Sequence, residues 1–328
     1  MAPGAFSINQ MFAALAGESG KSRPVKSHHL KKNGASLKVI LFNILDARRT
    51  ASTGINHITG DVHYLIFGIR TGRSVLTIHD CILLTRTARW NPKFYLFQWL
   101  WYKLPVWKAD AVTTISEKTK SEIIAFTGCN PQKIKVIPNF VHDAFRWQVK
   151  VFDKTRPRIL HVGLFPNKNF ERVVAALEGI PCILEIIGEL EDNHREWLHR
   201  HQVDFENYAN LPLEEVAERY RHSDMLVFAS TYEGFGLPIV EAQATGRPVV
   251  TSNLEPMTWV AGEQGACFVN PLDVDSIRKG ILKVIREDVF REKLVQFGSE
   301  NVKRFSLEQV AQQYLEVYES LLPQPCAA

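Results

Sequence analysis

The stretch Met225-Leu-Val-Phe-Ala-Ser-Thr-Tyr-Glu233-Gly-Phe-Gly236-Leu-Pro238-Ile-Val-Glu241 decides how this sequence is interpreted. Its first part is a continuous apolar run, typical of a strand buried on both faces. Pro238 favours the first turn of a helix. The N–H groups at a helix start, together with the helix dipole, bind anions such as a diphosphate. The sequence therefore predicts an anion site where the loop meets the helix.

The loop and its two glutamates have distinct expected roles. Gly234 and Gly236 let the backbone approach a ligand closely. Glu233 falls in the loop and Glu241 about one turn into the helix, so they reach different parts of one ligand rather than forming a facing carboxylate pair for hydrolysis. On spacing alone an alternative is equally open, in which the glycines serve the turn and the glutamates stabilise the helix dipole.

Strand and helix patterns alternate along the rest of the chain. Strands are predicted at Leu37–Leu45, Ser74–Ile78, Ala111–Ile115, Ile134–Ile137, Arg158–Val162, Ile183–Ile187, Met225–Ala229, Pro248–Val250 and Ala266–Val269. Helices are predicted at Glu117–Phe126, Phe170–Leu177, Leu213–Tyr220, Pro238–Ala244, Val274–Arg286 and Leu307–Leu322. This alternation, with near-continuous apolar strands, predicts an α/β fold with parallel sheets covered by helices on both faces.

The domain organisation follows from a break in this pattern. The stretch from Pro138 to Arg156 is aperiodic and largely polar, which predicts a linker between two domains, 1–150 and 151–328, with the C-terminal helix packing back on the first. A chain of 328 residues is long enough for two domains. Two parallel α/β units joined in this way create a cleft at the carboxyl ends of their strands, where such sheets bind ligands.

Composition favours a globular cytoplasmic protein. The chain is 45% hydrophobic and 23% charged, and no apolar stretch approaches the roughly 20 residues of a membrane span. The start lacks the pattern of a secretory signal. The five cysteines are scattered, without zinc-finger spacing, which indicates a reducing compartment.

Charge is distributed unevenly along the chain. Residues 1–150 contain 21 Lys and Arg against 8 Asp and Glu, whereas residues 151–328 contain 18 against 27. The basic half includes the stretch from Lys21 to Lys32 and the segment Trp90–Trp107, which is rich in aromatic residues. The segment is interpreted either as a packed helix or as a peripheral contact with an anionic membrane or a lipid-linked acceptor. No nucleic-acid motif is present, so a nucleic-acid partner is not expected.

The segment from Glu233 to Glu241 resembles the E-x7-E signature of the retaining glycosyltransferases of family four, which have the GT-B fold of two facing Rossmann-like domains with an interdomain cleft. The resemblance implies that Glu241 holds the ribose hydroxyls of a nucleotide and that Glu233 contacts the transferred sugar. It further implies that loop groups line the sugar and phosphates, at Gly234, Phe235, Gly236 and Leu237.

A second stretch, Ile159-Leu-His-Val-Gly163-Leu-Phe-Pro-Asn-Lys168-Asn169, resembles the first strand, loop and helix of the family's donor domain. The resemblance implies that Gly163 and Lys168 bind the donor, and that the lysine neutralises the leaving diphosphate without a metal. A lone lysine before a helix is otherwise most often a solvated surface charge. Many members have an Arg shortly after the glycine, whereas this chain has Leu164.

Two histidines of the first half lie in stretches that resemble the family's acceptor domain. The strand from Val75 ends in His79 and Asp80, and His57 lies upstream. The resemblance implies that His79 is brought to the donor sugar by domain closure and contacts it or polarises the reacting region. A histidine at a strand end is otherwise more often structural, and for His57 the two interpretations are equally open.

The resemblance as a whole implies a cytoplasmic hexosyltransferase, at the inner face of the plasma membrane. It transfers a mannose- or glucose-type sugar from a nucleoside diphosphate to a saccharide or lipid-linked saccharide, with retention and without a metal or cofactor. The expected partners are that donor and acceptor. Asp273-Val-Asp275 has the form of a metal-binding motif of another fold, but it precedes a predicted helix, where Asp is a favoured cap.

Two departures from the family pattern keep other functions open. The opening residues Met1–Ile8 lack the family's first strand, and Trp259 stands where relatives commonly carry Glu. The alternatives are a catalytically silent homologue that acts as a binding or regulatory partner, and a sugar-nucleotide epimerase on the same fold.

Overall fold

A computed structural model describes residues 8–20, 24–32, 34 and 36–322 of the chain. These residues form two compact units. The N-terminal unit comprises Ile8–Asn139 together with residues 307–322, and the second unit comprises Phe140–Ser306. The sequence interpretation of residues 1–7, and that of the first part of the basic stretch at residues 21–23, lies outside the described residues.

The N-terminal unit is built on four parallel strands in the order β1-β2-β3-β4. The strands are β1 (Ile55–Ile58), β2 (Arg73–Ile78), β3 (Ala111–Thr114) and β4 (Ile134–Val136). The helices are α1 (Ile8–Gly20), α2 (Leu37–Thr50), α3 (Ile82–Thr85), α4 (Pro92–Phe97), α5 (Leu104–Lys108), α6 (Glu117–Thr127) and, from the end of the chain, α14 (Leu307–Leu321). Helix α14 packs against α1.

The second unit contains six parallel strands in the order β10-β9-β8-β5-β6-β7. The strands are β5 (Arg158–Val162), β6 (Ile183–Ile187), β7 (Phe205–Tyr208), β8 (Met225–Phe228), β9 (Val249–Ser252) and β10 (Cys267–Val269). The helices are α7 (Phe170–Leu177), α8 (Asp192–Arg200), α9 (Leu213–His222), α10 (Leu237–Ala244), α11 (Met257–Ala261), α12 (Val274–Arg286) and α13 (Asp288–Asn301). Strand order reverses between β5 and β8, so the loops that follow these two strands lie side by side at the point where such sheets bind ligands.

Strands and helices alternate along the chain as the sequence predicts, because the strands are buried and apolar and several helices are capped. Every residue of β8 is buried, and Met225 and Val227 join one core cluster with Ile159 of β5 and with side chains of α7 and α12. Ser116 caps α6 by accepting a hydrogen bond from the N–H of Thr119, and Gly128 ends the helix at a φ of 67°. The predicted α/β class with parallel sheets is confirmed.

The predicted strand at Leu37–Leu45 is wrong, because these residues form most of helix α2. The Ser36 hydroxyl accepts a hydrogen bond from Val39 and caps the helix. Buried Asn43 and Asp46 follow it at helical spacing, and the exposed leucines Leu37, Leu41 and Leu45 recur every four residues on another face. A short apolar run is compatible with either element, and the cap decides between them.

The start of the described chain is helical. Residues 8–20, 24–32, 34 and 36–54 contain α1 and α2 and no strand, so β1 is the first strand of the described chain and lies at an edge of its sheet. None of the described helices is both long and apolar enough to cross a bilayer.

Candidate functional site

Two adjacent loops of the second unit form the candidate site. One follows β5 and contains Gly163 and the 3-10 turn Pro166–Lys168, and the other joins β8 to α10 and contains Glu233. Gly236 directly precedes α10 with a φ of 109°, a conformation that glycine adopts without strain. The first turn of α10 leaves N–H groups without partners inside the helix, and such groups can bind an anion.

A partly buried ion pair joins the two loops. The Nζ of Lys168 lies 2.6 Å from Oε1 of Glu233, and the side chains are only 16% and 12% exposed. The same Nζ lies 4.7 Å from the ring centroid of Phe228, the last residue of β8. A Cβ added at Gly163 would lie 3.2 Å from Cε of Lys168, so the glycine makes room for the lysine side chain. The structure therefore brings Gly163, Lys168 and Glu233 together.

Two asparagines, Asn167 and Asn169, hydrogen-bond the segment that follows β5 to the segment that follows β8. The Nδ2 of Asn167 donates to the carbonyl of Tyr232 at 2.9 Å, and the carbonyl of Asn167 accepts from the N–H of Thr231 at 2.8 Å. Asn169 is buried at a φ of 62°, and its Nδ2 donates to the carbonyls of Ala229 and Pro271 at 2.9 and 2.6 Å. These contacts fix the position of Lys168 between the two asparagines.

Glu241 lies inside α10, where it is buried beside Tyr220. The hydroxyl of Tyr220, from α9, donates to Oε2 of Glu241 at 2.6 Å. Burial raises the pKa of Glu241 to about 7, while the hydrogen bond from Tyr220 and the charge of Lys168 oppose the shift. Glu241 is therefore a carboxyl group whose charge is sensitive to what binds next to it.

The remaining loop residues have separate surroundings. Phe235 is buried, with its ring centroid 5.6 Å from that of Phe305 and 6.4 Å from that of Trp259. The guanidinium of Arg304 lies 4.8 Å from the Trp259 ring centroid. Trp259 is therefore part of an aromatic cluster behind the loop. Gly234 and Leu237, which were also predicted to line the sugar and phosphates, lie near the start of α10. Gly234 is in the loop, and Leu237 is the first residue of the helix.

The two histidines lie in the N-terminal unit and have different surroundings there. His79 directly follows β2 and is buried, and its Nε2 lies 2.8 Å from the carbonyl oxygen of Thr59. His57 uses both ring nitrogens, with Nδ1 2.7 Å from the Tyr318 hydroxyl and Nε2 2.6 Å from the Thr77 hydroxyl. Burial lowers the pKa of His57 to about 3, and the neighbouring His79 adds to the shift. His57 is thus neutral and held in place, which supports its structural interpretation.

The Asp273-Val-Asp275 motif has a local structural role. Oδ1 of Asp273 accepts a hydrogen bond from the N–H of Asp275 at 2.9 Å, and Asp273 is the N-cap of α12. Within the described ranges, no group of three or more His, Cys, Asp and Glu side chains is arranged to hold a metal ion.

The residues that sequence reasoning missed are Asn167, Asn169 and Tyr220. Their contacts join positions far apart in the chain, as with Tyr220 and Glu241 on separate helices. Only Asn169 leaves a local signal, because asparagine is one of the few residues that adopt a positive φ and it directly precedes a helix.

Two family models match adjacent parts of the chain. The model described as Glycosyltransferase Family 4 matches residues 55–145. The model described as Glycosyl transferases group 1 matches residues 144–301, which contain both loops and both glutamates of the site.

Curated relatives are similar over most of this chain. It is 28% identical over 277 residues to O-antigen chain mannosyltransferase B of Escherichia coli, with 77% of this chain and 71% of the relative covered. It is 27% identical over 285 residues to the serotype-specific mannosyltransferase WbdA of Escherichia coli. That match covers 76% of this chain and 34% of the relative, so the chain spans about a third of the larger protein.

Among solved structures, the chain is similar to Anabaena HepE, determined in complex with UDP and glucose. The TM-score is 0.78 at 15% sequence identity, and 98% of each chain is covered. WaaG, a glycosyltransferase involved in lipopolysaccharide biosynthesis, matches with a TM-score of 0.70 at 11% identity. At these identities the similarity concerns the fold, and it confirms the predicted GT-B class.

Proposed function

The chain is a glycosyltransferase that belongs to family four, and on that premise we propose that it transfers a mannose- or glucose-type hexose from a nucleoside diphosphate sugar to a saccharide acceptor with retention of configuration. The bond between the anomeric carbon and the phosphate oxygen breaks, and the nucleoside diphosphate leaves with the electron pair. The acceptor hydroxyl oxygen bonds to the anomeric carbon and loses its proton.

The observation that carries this proposal is the partly buried ammonium of Lys168 beside the loop that leads into α10. Its neighbour Glu233, at 2.6 Å, balances its charge in the described structure. A diphosphate at this place would offer Lys168 a second, stronger anionic partner, and the N–H groups at the start of α10 would add fixed dipoles. Such groups act on charge that develops as the bond breaks, so they stabilise the departing diphosphate without reorganising.

The two glutamates then divide the donor between them. Glu233 lies in the loop, and we assign it to the sugar hydroxyls, from which it would accept hydrogen bonds once Lys168 turns to the diphosphate. Glu241 lies further along α10, and we assign it to the ribose hydroxyls. Its raised pKa supports this role, because hydroxyl donors bound to the carboxylate would favour the charged form that burial now disfavours.

The finer features of the reaction are proposed on other grounds. The cationic group supports a leaving-group role that needs no metal, and retention rests on family membership. The acceptor is proposed to be a saccharide or lipid-linked saccharide of surface polysaccharide, because the curated relatives include O-antigen mannosyltransferases. A cytoplasmic site of reaction is supported by the four described cysteines, which are buried and form no disulfide bond with one another.

The experiment is a donor panel with the full chain. GDP-mannose, GDP-glucose, UDP-glucose and ADP-glucose, each labelled in the sugar, are incubated with and without saccharide acceptors, in the presence and absence of EDTA. We expect label transfer or slow donor hydrolysis with one base, unchanged by EDTA, and an α-linked product by NMR from an α-linked donor.

Other outcomes have defined meanings. Tight nucleotide binding without turnover would reject the proposed enzymatic activity and favour a catalytically silent homologue. Conversion of the nucleotide sugar into a different free nucleotide sugar would favour an epimerase. An inverted anomeric centre, or activity abolished by EDTA and restored by Mg²⁺, would reject the proposed chemistry while leaving a transferase.

A further inference from the structure

The segment from Trp90 to Lys108 has one side buried in the protein core and another side exposed to solvent. It runs through α4, a π-helical stretch Gln98–Lys103 and α5. The side chains of Phe94, Tyr102 and Val106 are buried in the core of the N-terminal unit. The segment is therefore a packed element of the fold, and what its other side exposes is presented on a fixed surface.

That other side is apolar and exposed. We call it the aromatic face, and it consists of Trp90, Tyr95, Leu96, Trp99, Leu100 and Trp107. Trp90 is 86% exposed and Trp107 50% exposed. Side chains 95, 96, 99, 100 and 107 recur at helical spacing on one side of the segment. The rings of Trp99 and Trp107 adjoin one another, with their centroids 6.2 Å apart. Soluble proteins seldom expose large apolar patches, and such patches mark interaction sites.

Positive charge accompanies the aromatic face. The Nζ of Lys103 lies 4.4 Å from the Trp99 ring centroid and 4.9 Å from that of Trp107, so one ammonium lies between two exposed indoles. From residue 81 to residue 109 the sequence contains five Lys and Arg and no Asp or Glu. A partner for this surface must therefore accept apolar rings and supply negative charge.

We propose that the aromatic face seats the protein on an anionic lipid bilayer. Tryptophan and tyrosine favour the interface between headgroups and acyl chains, and lysine extends from apolar surface to lipid phosphates. Basic side chains near an anionic leaflet add attraction that salt screens. The charge of the surrounding chain fits this partner, because residues 1–150 contain 21 basic against 8 acidic residues.

A second copy of the chain is a poorer occupant of the same surface. A symmetric contact would place the same basic residues opposite each other, and the stretch from residue 81 to residue 109 offers no carboxylate to offset them. The inference is independent of the donor site, because every residue of the aromatic face lies in the N-terminal unit.

The test is co-sedimentation of the full chain with sucrose-loaded vesicles of phosphatidylcholine alone or with about one third phosphatidylglycerol. We expect binding to the anionic vesicles, weakened by salt. The double variant Trp99→Glu/Trp107→Glu should bind about tenfold or more weakly, since it removes two interfacial anchors and adds two negative charges. Lys103→Glu should lower binding to the anionic vesicles and leave the weak binding to phosphatidylcholine unchanged.

The matched control is Val289→Glu, which places the same side chain at a 67% exposed apolar position of the second unit. It should bind as the parent does. Circular dichroism and thermal melting establish that each variant is folded. Trp99→Phe/Trp107→Phe keeps rings at both sites, and it should retain vesicle binding while losing part of the fluorescence quenching by brominated lipids.

Three results would overturn the proposal. They are absence of parent binding to anionic vesicles, equal binding by the glutamate double variant, and concentration-dependent dimers in sizing experiments that the same double variant abolishes. The last would assign the aromatic face to a second copy of the chain.

Discussion

The hydroxyl of Tyr220 donates a 2.6 Å hydrogen bond to a carboxylate oxygen of Glu241, and both side chains are buried. Glu241 is the second glutamate of the motif. Because its side chain is buried, ionising it makes the folded state less stable. Between its ordinary pKa of 4.5 and its folded value of about 7, the folded protein binds more protons than the unfolded chain. Stability therefore falls as the pH rises through this window.

We predict that Glu241→Gln stabilises the ligand-free protein at about pH 8, by an amount on the order of 2 kcal/mol. The amide still accepts the hydrogen bond from Tyr220 but carries no charge. Near pH 4.5 the advantage should shrink, because the parent carboxyl is then protonated too. Thermal melting across this range measures the effect, and parallel pH profiles for the two proteins would contradict it. The same variant should bind nucleoside diphosphates more weakly.

Lys168→Ala should weaken binding of the nucleoside diphosphate by about tenfold or more, because a charge-assisted contact to the diphosphate is lost. The matched control is Lys283→Ala, since Lys283 also stacks on a phenylalanine, with Nζ 4.0 Å from the Phe290 ring centroid. Calorimetric titration of both variants with GDP and UDP provides the measurement. Equal affinities for the two variants would remove Lys168 from the donor site.

Two substitutions of Asn169 separate the effect of its backbone conformation on stability from the effect of its side-chain hydrogen bonds. Asn169→Ala loses both carbonyl contacts of Nδ2 and also strains a backbone at a φ of 62°. Asn169→Gly loses the same contacts without the strain. We expect both variants to be less stable in urea, alanine by about 2–4 kcal/mol and glycine by about 1 kcal/mol less. A glycine variant no more stable than the alanine variant would show that the conformation itself costs nothing.

His57 and His79 of the N-terminal unit should separate into a structural and a functional residue. His57→Gln should lower stability, because it disturbs the contacts with Tyr318 and Thr77, while turnover per folded molecule is kept. His79→Gln should lower kcat and leave the melting temperature nearly unchanged. Melting curves and initial rates of both variants decide the matter, and the reversed pattern would exchange the two assignments.

His57 also has its own pH signature. Its pKa lies below the value of 6.5 that it takes when unfolded, so the unfolded chain binds more protons between about pH 3 and 6.5. The stability that His57 contributes is present above pH 6.5 and declines as the pH falls through that window. His57→Gln should flatten this decline.

Where the sequence predicted the fold well, burial made the pattern simple. Strands β5 and β6 and helices α7 and α12 match their predicted bounds, because parallel strands covered on both faces are short, mainly apolar runs. Strand β7 escaped notice because it lies at a sheet edge and its residues are only partly buried. Helix α2 was mistaken for a strand because it carries leucines on its exposed face as well as apolar residues elsewhere.

Some residues of the candidate site can be predicted from the sequence, and others depend on tertiary contacts. The loop glycines, Lys168 and both glutamates lie in short local motifs, so sequence reasoning could find them. Tyr220 could not be found, because its contact with Glu241 depends on how α9 packs beside α10. The ion pair of Lys168 with Glu233 links two loops 65 positions apart, and it exists only because β5 and β8 are neighbours in the sheet.

The return of α14 to the N-terminal unit makes the second unit an insertion within the first. The chain passes from one unit to the other at residue 140 and back at residue 307, and close to these crossings the N–H of Val141 donates to the carbonyl of Phe305 at 2.9 Å. During synthesis the early unit must therefore wait for Tyr314 and Tyr318, which pack around His57. All strands of the later unit are synthesised before those two tyrosines, so its sheet can form first.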